Sequence, residues 1–421
     1  MAREMKDSGI EWIGSVPAEW EVLRTKNAYS HHKNVVGNKS DNYERLALTL
    51  NGVVKRSKDD STGLQPEAFN SYQILRENEL VFKLIDLENI STSRVGLSPF
   101  EGLVSPAYIV LEPKENAFSK FGFYYFLSMW HRYIFNHLGD DGVRSSLNAS
   151  DLLNIPYVAP PIFEQHRIAD FLDRKCAEID RVLEKTRASI EEYKKLKQSV
   201  ITQAVTKGVR GEREMKDSGI EWIGEIPASW DINVMFQLLK QVKSRNEGLI
   251  ENNLLSLSYG KIKRKDIDTL GGLLPESFDG YNIIEKNDIV IRLTDLQNDH
   301  KSLRVGLSPE RGIITFAYVT VRNYSQNLPE YLYYYLHSYD IAKGFYGMGA
   351  GVRQGLNWDG LKNLQITIPS VSEQQEICNY LEKKCSEIDT LISKKEQFIT
   401  KLESYKKSLI YEYVTGKKEV Q

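Results

Sequence analysis

The most constraining feature of this sequence is a long internal repeat. The segment REMKDSGIEWIGSVPAEW at 3–20 returns as REMKDSGIEWIGEIPASW at 213–230, an offset of 210 residues. The match continues along the chain, for example in RKCAEID at 174–180 and KKCSEID at 383–389. A period of about 200 residues is the size of a domain and is too long for one unit of a solenoid. The sequence therefore predicts two similar modules with pseudo-two-fold symmetry, and a ligand or partner that also comes in two halves.

Composition limits the class of protein. The chain has 421 residues, 41% hydrophobic and 27% charged, which is ordinary for a folded protein of about three domains. It has three cysteines, and charges interrupt every apolar run, so we expect a cytosolic protein without a disulfide framework or a membrane span. The net charge of −2 does not favour general binding of polyanions. Any contact with nucleic acid must therefore depend on local basic patches.

Each copy begins with a globular part. Residues from about 20 to 160 are rich in Gly, Asn, Ser and aromatics, and short β-type runs such as ELVFKL at 79–84 alternate with turn signals. This pattern indicates a mixed α/β domain. The segment at 121–135, matched by 329–342, is helical in character and apolar on nearly all sides. We interpret it as a buried core helix rather than as an aromatic platform on which bases stack.

Each copy ends in a long helical segment. Glycine nearly disappears from about 163 to 206 and again from about 372 to 414, which predicts two helices of about 40 residues or roughly 60 Å. Apolar residues keep the a and d spacing of a coiled-coil heptad, interrupted at Thr186 and Lys395. We expect the two helices to pair antiparallel and to separate the two globular domains. The predicted seam residues are Leu172, Ile179, Val182, Tyr193, Leu196, Val200, Leu381, Ile388, Leu391, Phe398, Leu402, Tyr405 and Leu409.

Four further apolar residues lie off the predicted seam. They are Leu183, Ile190, Ile392 and Ile399. They either widen the stripe that packs on the chain's own domain or dock a separate subunit, and we favour the second interpretation.

Together these segments resemble the specificity subunit of type I restriction-modification systems. The resemblance rests on MKDSGIEWIG followed by Pro and Trp, on GVRxxLN near the end of each globular part, and on the EQxxI helix with KCxEID. It covers both copies and essentially the whole chain, and the linked set is more specific than any one element.

The resemblance implies the fold, the partners and the function. In that family, globular target-recognition domains each read half of a split site in double-stranded DNA. Long spacer helices fix the gap and seat two methyltransferase subunits, to which restriction and translocation subunits attach. The expected recognition domains are 1–160 and 209–369, and the expected spacer helices are 161–208 and 370–416. The chain itself would be non-catalytic and without a cofactor, because adenine methylation and DNA cleavage belong to its partners.

Two other functions compete with this one. The chain would be a DNA adenine-N6 methyltransferase itself if FYGMG at 345–349 bound S-adenosylmethionine and NIPY at 154–157 held a flipped adenine. The aligned positions of the other copy lack both motifs, and NIPY lacks the central proline of the tetrad that it resembles. We favour a surface loop for the glycines of GMGAG at 347–351. Alternatively, the chain would be a coiled-coil scaffold that bridges two proteins without binding DNA.

Motifs for other chemistry are sparse. His31 and His32 have no cysteine or carboxylate at ligand spacing, and Cys378 and Cys385 have the spacing of one helix face, which suits packing. The sequence contains neither a Walker phosphate-binding motif nor a nucleophile elbow. We therefore expect no catalytic, cofactor or metal site in this chain.

Basic and amide residues cluster at matching places in both copies and are the candidate DNA contacts. Arginine can bind guanine, and Asn or Gln can bind adenine, through paired hydrogen bonds, whereas Lys and Ser suit phosphates. The alternative is that the cations are solvated strand ends and that Arg144 and Arg353 tie a loop to its own domain. The candidates are Lys55, Arg56, Lys58, Arg94, Arg144, Ser145, Asn148, Lys261, Lys263, Arg264, Arg304, Arg353, Gln354 and Asn357.

Overall fold

The protein consists of two compact units. Unit 1 comprises Met1–Thr186 and Glu396–Gln421, and unit 2 comprises Arg187–Lys395. Each unit therefore joins one globular copy to half of each long helix. The computed structural model describes residues 3–60, 66, 68–88, 92–138, 146–267, 277–296, 299, 303–348 and 356–420.

Unit 1 contains two four-stranded sheets and two strand pairs. Its strands are β1 Met5–Asp7, β2 Ser15–Pro17, β3 Glu21–Arg24, β4 Tyr29–Ser30, β5 Arg45–Thr49, β6 Gly52–Arg56, β7 Gln73–Leu75, β8 Leu80–Phe82, β9 Val95–Leu97, β10 Gly102–Val104, β11 Ile109–Pro113 and β12 Pro156–Ala159. The sheet orders are β6-β5-β10-β7 and β4-β11-β8-β9, and the pairs are β1-β2 and β12-β3. The helices are α1 Thr25–Ala28, α2 Ser119–His131, α3 Ile134–Leu138, α4 Ala149–Asn154 and the first part of α5 Ile162–Lys207, with a 3-10 helix at Gly37–Asn42.

Unit 2 repeats this plan. Its strands are β13 Met215–Asp217, β14 Glu225–Pro227, β15 Asp231–Val234, β16 Leu239–Gln241, β17 Leu255–Ser258, β18 Lys261–Arg264, β19 Asn282–Ile284, β20 Ile289–Ile291, β21 Val305–Leu307, β22 Gly312–Ile314, β23 Val319–Asn323 and β24 Gln365–Ile368. One sheet has the order β16-β23-β20-β21, and the pairs are β13-β14, β15-β24, β17-β18 and β19-β22. The helices are α6 Met235–Leu238, α7 Pro329–Ile341, α8 Trp358–Leu361 and the first part of α9 Val371–Val414, with 3-10 helices at Glu247–Leu249 and Gly344–Gly347.

The aromatic helix forms the core of each unit, as predicted. Phe121 and Phe126 of α2 are fully buried, as are Tyr331 and Tyr335 of α7. Burial of a tyrosine requires a partner for its hydroxyl group. The hydroxyl of Tyr335 donates to the backbone carbonyl of Gln365 at 2.9 Å. These rings pack the interior and do not offer faces for stacking bases.

The repeated opening segment is fastened to the start of a long helix in both units. In unit 1 the guanidinium of Arg3 donates two hydrogen bonds to the carboxylate of Glu164, at 2.7 and 2.8 Å, and lies 5.3 Å from the ring of Trp20. A paired arginine–carboxylate contact fixes orientation as well as position. In unit 2 the guanidinium of Arg213 lies at the matching place: it donates one hydrogen bond to Glu373 and one to the backbone carbonyl of Lys207, and it lies 5.5 Å from the ring of Trp230. The repeat of Arg and Trp in the sequence thus reflects one structural joint used twice.

The long helices pair antiparallel within unit 1. The rings of Phe171 in α5 and Tyr413 in α9 lie 4.4 Å apart, and the ammonium of Lys406 lies 2.6 Å from the carboxylate of Asp180. Residue numbers rise along α5 as they fall along α9, so the two helices run in opposite directions, as predicted.

Unit 2 makes the equivalent contact with the other halves of the two helices. The ammonium of Lys197 in α5 lies 2.7 Å from the carboxylate of Asp389 in α9. Lys197 and Asp389 occupy the repeat positions of Lys406 and Asp180. One charged pair therefore occurs once in each unit, with the roles of the two helices exchanged.

The buried seam of the long helices differs from the predicted one. Residues three and four positions apart share a helix face, so a stripe can step by either spacing. In α5 the buried residues step by four and then three; they are Leu172, Cys176, Ile179, Leu183, Thr186 and Ile190. Five predicted seam residues are buried, namely Leu172, Ile179, Leu381, Ile388 and Leu409. Five others are exposed, namely Val182, Leu196, Leu391, Phe398 and Tyr405.

This register corrects the predicted partner surface. Leu183 and Ile190 are only 4% and 6% exposed, and Leu183 belongs to the core of unit 1. Ile392 and Ile399 are half-buried, and Ile399 packs against that same core. We therefore no longer assign these four residues to the docking of a separate subunit.

The three cysteines are packing residues. Burial raises the pKa of Cys176 to about 11 and that of Cys378 to about 12, and it also raises the pKa of Cys385. A thiol with a raised pKa stays protonated at neutral pH and reacts slowly. Cys176 and Cys385 occupy the same position of the repeat, where their helices are buried.

Across the described ranges, none of the helices combines the length and the apolar character that crossing a bilayer requires.

The matched ion pairs lead to a prediction for a half-length fragment. In a dimer of residues 1–212, residues 187–207 of one copy can occupy the place that 396–416 hold in unit 1, so that Asp180 faces Lys197. We expect this fragment to form an isologous dimer in sedimentation experiments. Lys197→Glu should weaken it by about tenfold, and the double change with Asp180→Lys should restore it, because exposed ion pairs are worth about 0.2–1 kcal/mol each. A fragment that stays monomeric at high concentration would contradict the pairing.

Candidate nucleic-acid interface

Three candidate cations of unit 1 lie at the edge of a sheet. Lys55 and Arg56 belong to the edge strand β6, and Lys58 follows it. The side chains of Lys55 and Arg56 form ion pairs with Glu44 and Asp60 at 2.5 and 2.7 Å. Ion pairs near the surface are weak, so such cations can exchange a carboxylate for a phosphate.

The equivalent cations of unit 2 lie on the hairpin β17–β18. Lys261 is exposed and its ammonium lies 3.8 Å from the carboxylate of Asp389, and Arg264 pairs with Glu310 through both carboxylate oxygens. Lys263 is exposed on the same strand. The hairpin turns at Tyr259 and Gly260, with φ of 46° and 75°. Tyr259 is 74% exposed at this tip.

A polar loop follows a buried strand in each unit. We define the polar loop of unit 1 as residues 83–94, between β8 and β9, and that of unit 2 as residues 292–304, between β20 and β21. Each is closed at its base by a backbone hydrogen bond, from Lys83 to Arg94 at 3.0 Å and from Arg292 to Arg304 at 2.8 Å. Parts of both loops, 89–91, 297–298 and 300–302, lie outside the described residues.

Arg94 and Arg304 are internal to these loops. They are 1% and 0% exposed. The guanidinium of Arg94 donates to the backbone carbonyls of Lys83, Ile85 and Asp86. That of Arg304 donates to the carbonyls of Arg292, Thr294, Asp295 and Asp299. A buried side chain bound in this way cannot reach a base or a phosphate, so we correct the prediction that these two arginines contact DNA.

The GVRxxLN motif ends in a helix cap. The side-chain oxygen of Asn148 accepts hydrogen bonds from the backbone N–H groups of Ser150 and Asp151, at 2.8 and 3.0 Å. The side chain of Asn357 accepts one from Gly360 at 3.1 Å. Asparagine is a preferred residue at this position because it satisfies N–H groups that have no partner in the helix. Both side chains are also exposed.

The same motif is joined to the polar loop. The backbone N–H of Leu147 donates to the carbonyl of Leu84 at 2.9 Å, and that of Leu356 donates to Leu293 at 3.1 Å. In each unit the end of the GVRxxLN motif therefore lies next to the start of the polar loop. Four candidate DNA contacts of this motif, Arg144, Ser145, Arg353 and Gln354, lie outside the described residues.

In each unit a glycine lies where the strand after the polar loop approaches the hairpin that carries the basic strand. A Cβ atom on Gly96 would lie 2.9 Å from the side chain of Val53 in β6, and one on Gly306 would lie 3.1 Å from that of Ile262 in β18. A larger residue at either position would require these side chains to shift. The recurring sequence RVGLSP thus combines a buried arginine with a close contact between strands. Each unit places a basic strand, a polar loop and the end of GVRxxLN side by side.

The segments that resemble methyltransferase motifs have structural roles. Tyr157 of NIPY is fully buried, and its ring packs 5.5 Å from that of Tyr29. Phe345 of FYGMG is also fully buried, and the hydroxyl of Tyr346 donates to the carbonyl of Asp299. Gly349 lies outside the described residues. The buried ring of Tyr157 therefore cannot stack on a flipped base.

The described part of the chain holds no group of three or more His, Cys, Asp or Glu residues placed to bind a metal ion. His31, one of the two adjacent histidines, places its Nδ1 atom 2.8 Å from the carbonyl oxygen of Val110.

The sequence of this chain is similar to those of known proteins. The family described as the type I restriction modification DNA specificity domain matches residues 25–192 and 262–401. Two proteins of Methanocaldococcus jannaschii that carry the name type I restriction enzyme specificity subunit, MjaVIII and the provisionally assigned MjaX, are each 24% identical. The matches cover 97% of this chain and 96% of MjaX, and 96% of this chain and 94% of MjaVIII.

Solved structures show the same fold. A chain from a study of complex assembly and conformational transition of the type I restriction-modification system matches with a TM-score of 0.68 at 13% identity, over 95% of this chain and 99% of that one. The HsdS subunit from Thermoanaerobacter tengcongensis matches with a TM-score of 0.50 at 14% identity, over 95% and 98%. With two matched segments that together span more than half of its length, the chain belongs to the type I restriction-modification DNA specificity family.

Proposed function

We propose that this chain selects a bipartite site in double-stranded DNA, with each unit reading one half-site. The observation that supports this most directly is the matched set of elements in the two units. Each set contains a basic strand, a polar loop and a GVRxxLN end, which are the groups needed for phosphate contact and for base reading. The repeat of the set suits a target made of two short sequences separated by unread bases.

The chain is proposed to be non-catalytic. The methyltransferase-like segments are part of the buried cores, which supports a separate subunit as the source of adenine methylation. Restriction and translocation subunits would join through the same complex. A scaffold without DNA binding is less consistent with the basic strands beside the polar loops in both units.

Five exposed apolar residues, spaced by seven or fourteen positions along each long helix, are the proposed docking surface for the methyltransferase subunits. In unit 1 they are Val182, Phe398 and Tyr405, with exposed fractions of 42%, 46% and 53%. In unit 2 they are Leu196 and Leu391, with 48% and 41%. Large apolar residues exposed at heptad spacing are typical of a helix that binds another helix. Val182 and Leu391 occupy one repeat position, and Leu196 and Tyr405 another, which suits two copies of one partner.

A substitution on this surface tests the docking. We expect Phe398→Asp to weaken assembly with the methyltransferase subunit at least tenfold, because burial of a large apolar side chain contributes about 1.5–3 kcal/mol. Titration calorimetry without DNA measures the effect. Leu50→Asp is the matched control, because Leu50 is 59% exposed in the globular part of the same unit. Equal effects of the two substitutions, or no effect of Phe398→Asp, would rule out this surface.

Arg353 is proposed to contact a base in the half-site of unit 2. Its replacement by Ala should relax recognition in that half-site by about 1–3 kcal/mol and leave the other half-site's preference intact. Lys263→Ala is the comparison, because loss of a phosphate contact weakens binding on all sequences and reduces its salt dependence. Fluorescence polarisation of the assembled complex on duplexes with single-base changes distinguishes a base contact from a phosphate contact. Uniform weakening by Arg353→Ala would show that it does not read bases.

The isolated chain should bind neither S-adenosylmethionine nor DNA tightly. This expectation follows from the structural roles of the methyltransferase-like segments and from the net charge of −2. Calorimetry should detect cofactor binding only after the methyltransferase subunit is added. Micromolar binding of S-adenosylmethionine by the chain alone would contradict a division of labour between subunits.

A further inference from the structure

A buried arginine occupies the same place at the base of the polar loop in both units. Arg94 and Arg304 are matched in the repeat, and each lies at the end of its polar loop, directly before a buried strand. Three carbonyl acceptors are also matched, because Lys83, Ile85 and Asp86 correspond in the repeat to Arg292, Thr294 and Asp295. The same guanidinium contact has therefore been kept although the two polar loops differ in sequence and by one residue in length.

The arginine contacts hold one aspartate of each loop in an unusual backbone conformation. Asp86 and Asp295 have φ values of 54° and 56°, in the left-handed region that residues other than glycine rarely adopt. The carbonyl of each accepts a hydrogen bond from the arginine, at 2.5 and 3.1 Å. Such a conformation persists where the surrounding contacts impose it. The guanidinium, with donors arranged in a rigid fork, can hold several carbonyls at once.

A second side chain supports each polar loop from one matched position. The amide of Asn136 donates to the carbonyl of Leu87 at 3.1 Å in unit 1. In unit 2 the hydroxyl of Tyr346 donates to the carbonyl of Asp299 at 3.0 Å and accepts a hydrogen bond from the Nε of Arg304 at 3.1 Å. Asn136 and Tyr346 are equivalent in the repeat, but they differ in chemistry. Both residues nevertheless donate a hydrogen bond to a backbone carbonyl of the polar loop.

We propose that Arg94 and Arg304 are positioning residues, each of which determines specificity in one half-site by fixing the polar loop that reads it. They act without touching DNA, because both side chains are buried and occupied by carbonyls of the loop. The guanidinium fixes the described base of each loop. Groups that read bases are placed precisely only when the residues that support them are fixed, so a loosened base lets the half-site accept more sequences. The proposal rests on the proposed function and names the residues that give each reading loop its shape.

The test measures discrimination separately in the two half-sites. The assembled methyltransferase complex carries Arg304→Met or Arg304→Lys, and adenine methylation is measured on the cognate duplex and on duplexes with one changed base in either half-site. Each base is normally discriminated by about 5- to 150-fold. Both substitutions should remove most of this discrimination in the half-site of unit 2, so that its ratios fall towards about 1, with the other half-site unchanged. Arg94→Met and Arg94→Lys should reduce discrimination in the half-site of unit 1 and leave that of unit 2 unchanged.

Several results would overturn the proposal. Equal slowing on all duplexes with unchanged discrimination would show that the arginine only stabilises the unit. Recovery of discrimination by Lys would show that the positive charge is sufficient, because a lysine cannot reproduce the forked contact with several carbonyls.

Milder substitutions keep the test decisive where an arginine variant does not fold, as judged by its melting temperature and by its assembly. Tyr346→Phe removes the hydroxyl group that supports the polar loop and keeps the ring, and Asn136→Asp replaces the amide donor in unit 1. Each should lower discrimination in its own half-site by about two- to tenfold. If neither substitution changes the ratio of methylation on the cognate duplex to that on the altered duplexes, the proposal is overturned. A wild-type complex that methylates no defined sequence would instead contradict the proposed function.

Discussion

The structure depends on the burial of half of each long helix against half of the other. In unit 1, α5 and α9 meet along Leu172, Ile179 and Leu409, which lie in one core with the aromatic residues of α2. In unit 2, Ile201, Leu381 and Cys385 share a core with α7. The hydrophobic contribution of these contacts is large because each buries apolar side chains almost completely. Without this packing, the apolar side chains of each globular copy that contact the long helices would be exposed to water.

The opening segment of each copy is also attached to a long helix. Arg3 and Arg213 each bind a glutamate in the first turn of a long helix and cover a buried tryptophan. This joint fixes the start of the helix relative to the sheets of its own unit. The polar loops and the basic strands are then held by rigid elements, which is the condition for reading a sequence by contact with base edges.

Much of this organisation was predictable from the sequence. The repeat predicted two units, the disappearance of glycine predicted the long helices, and the apolar aromatic segments predicted the core helices. The register of the helical seam was predicted wrongly, because steps of three and of four residues both keep a residue on one face. Only the shape of the packed unit selects Leu183 over Val182. For that reason the proposed docking surface consists of residues that the pattern had placed in the seam.

The roles of Arg94 and Arg304 could not be predicted either, since an arginine in a polar segment looks the same whether it faces carbonyls or phosphates. A signal was nevertheless present in RVGLSP, where Arg precedes an apolar strand and a repeated glycine. The joint made by Arg3 and Trp20 was missed although both residues recur in the repeat. Repetition of a charged residue beside a buried aromatic one indicates a structural contact as readily as a functional one.

The most direct test of a two-part reading mechanism is long-read mapping of methylated adenines in DNA from cells that express the chain with its methyltransferase subunit. The account predicts one asymmetric motif, made of two different specified half-sites separated by a constant number of unspecified bases, with a methylated adenine in each half. A single uninterrupted motif, or methylation without any sequence preference, would contradict it.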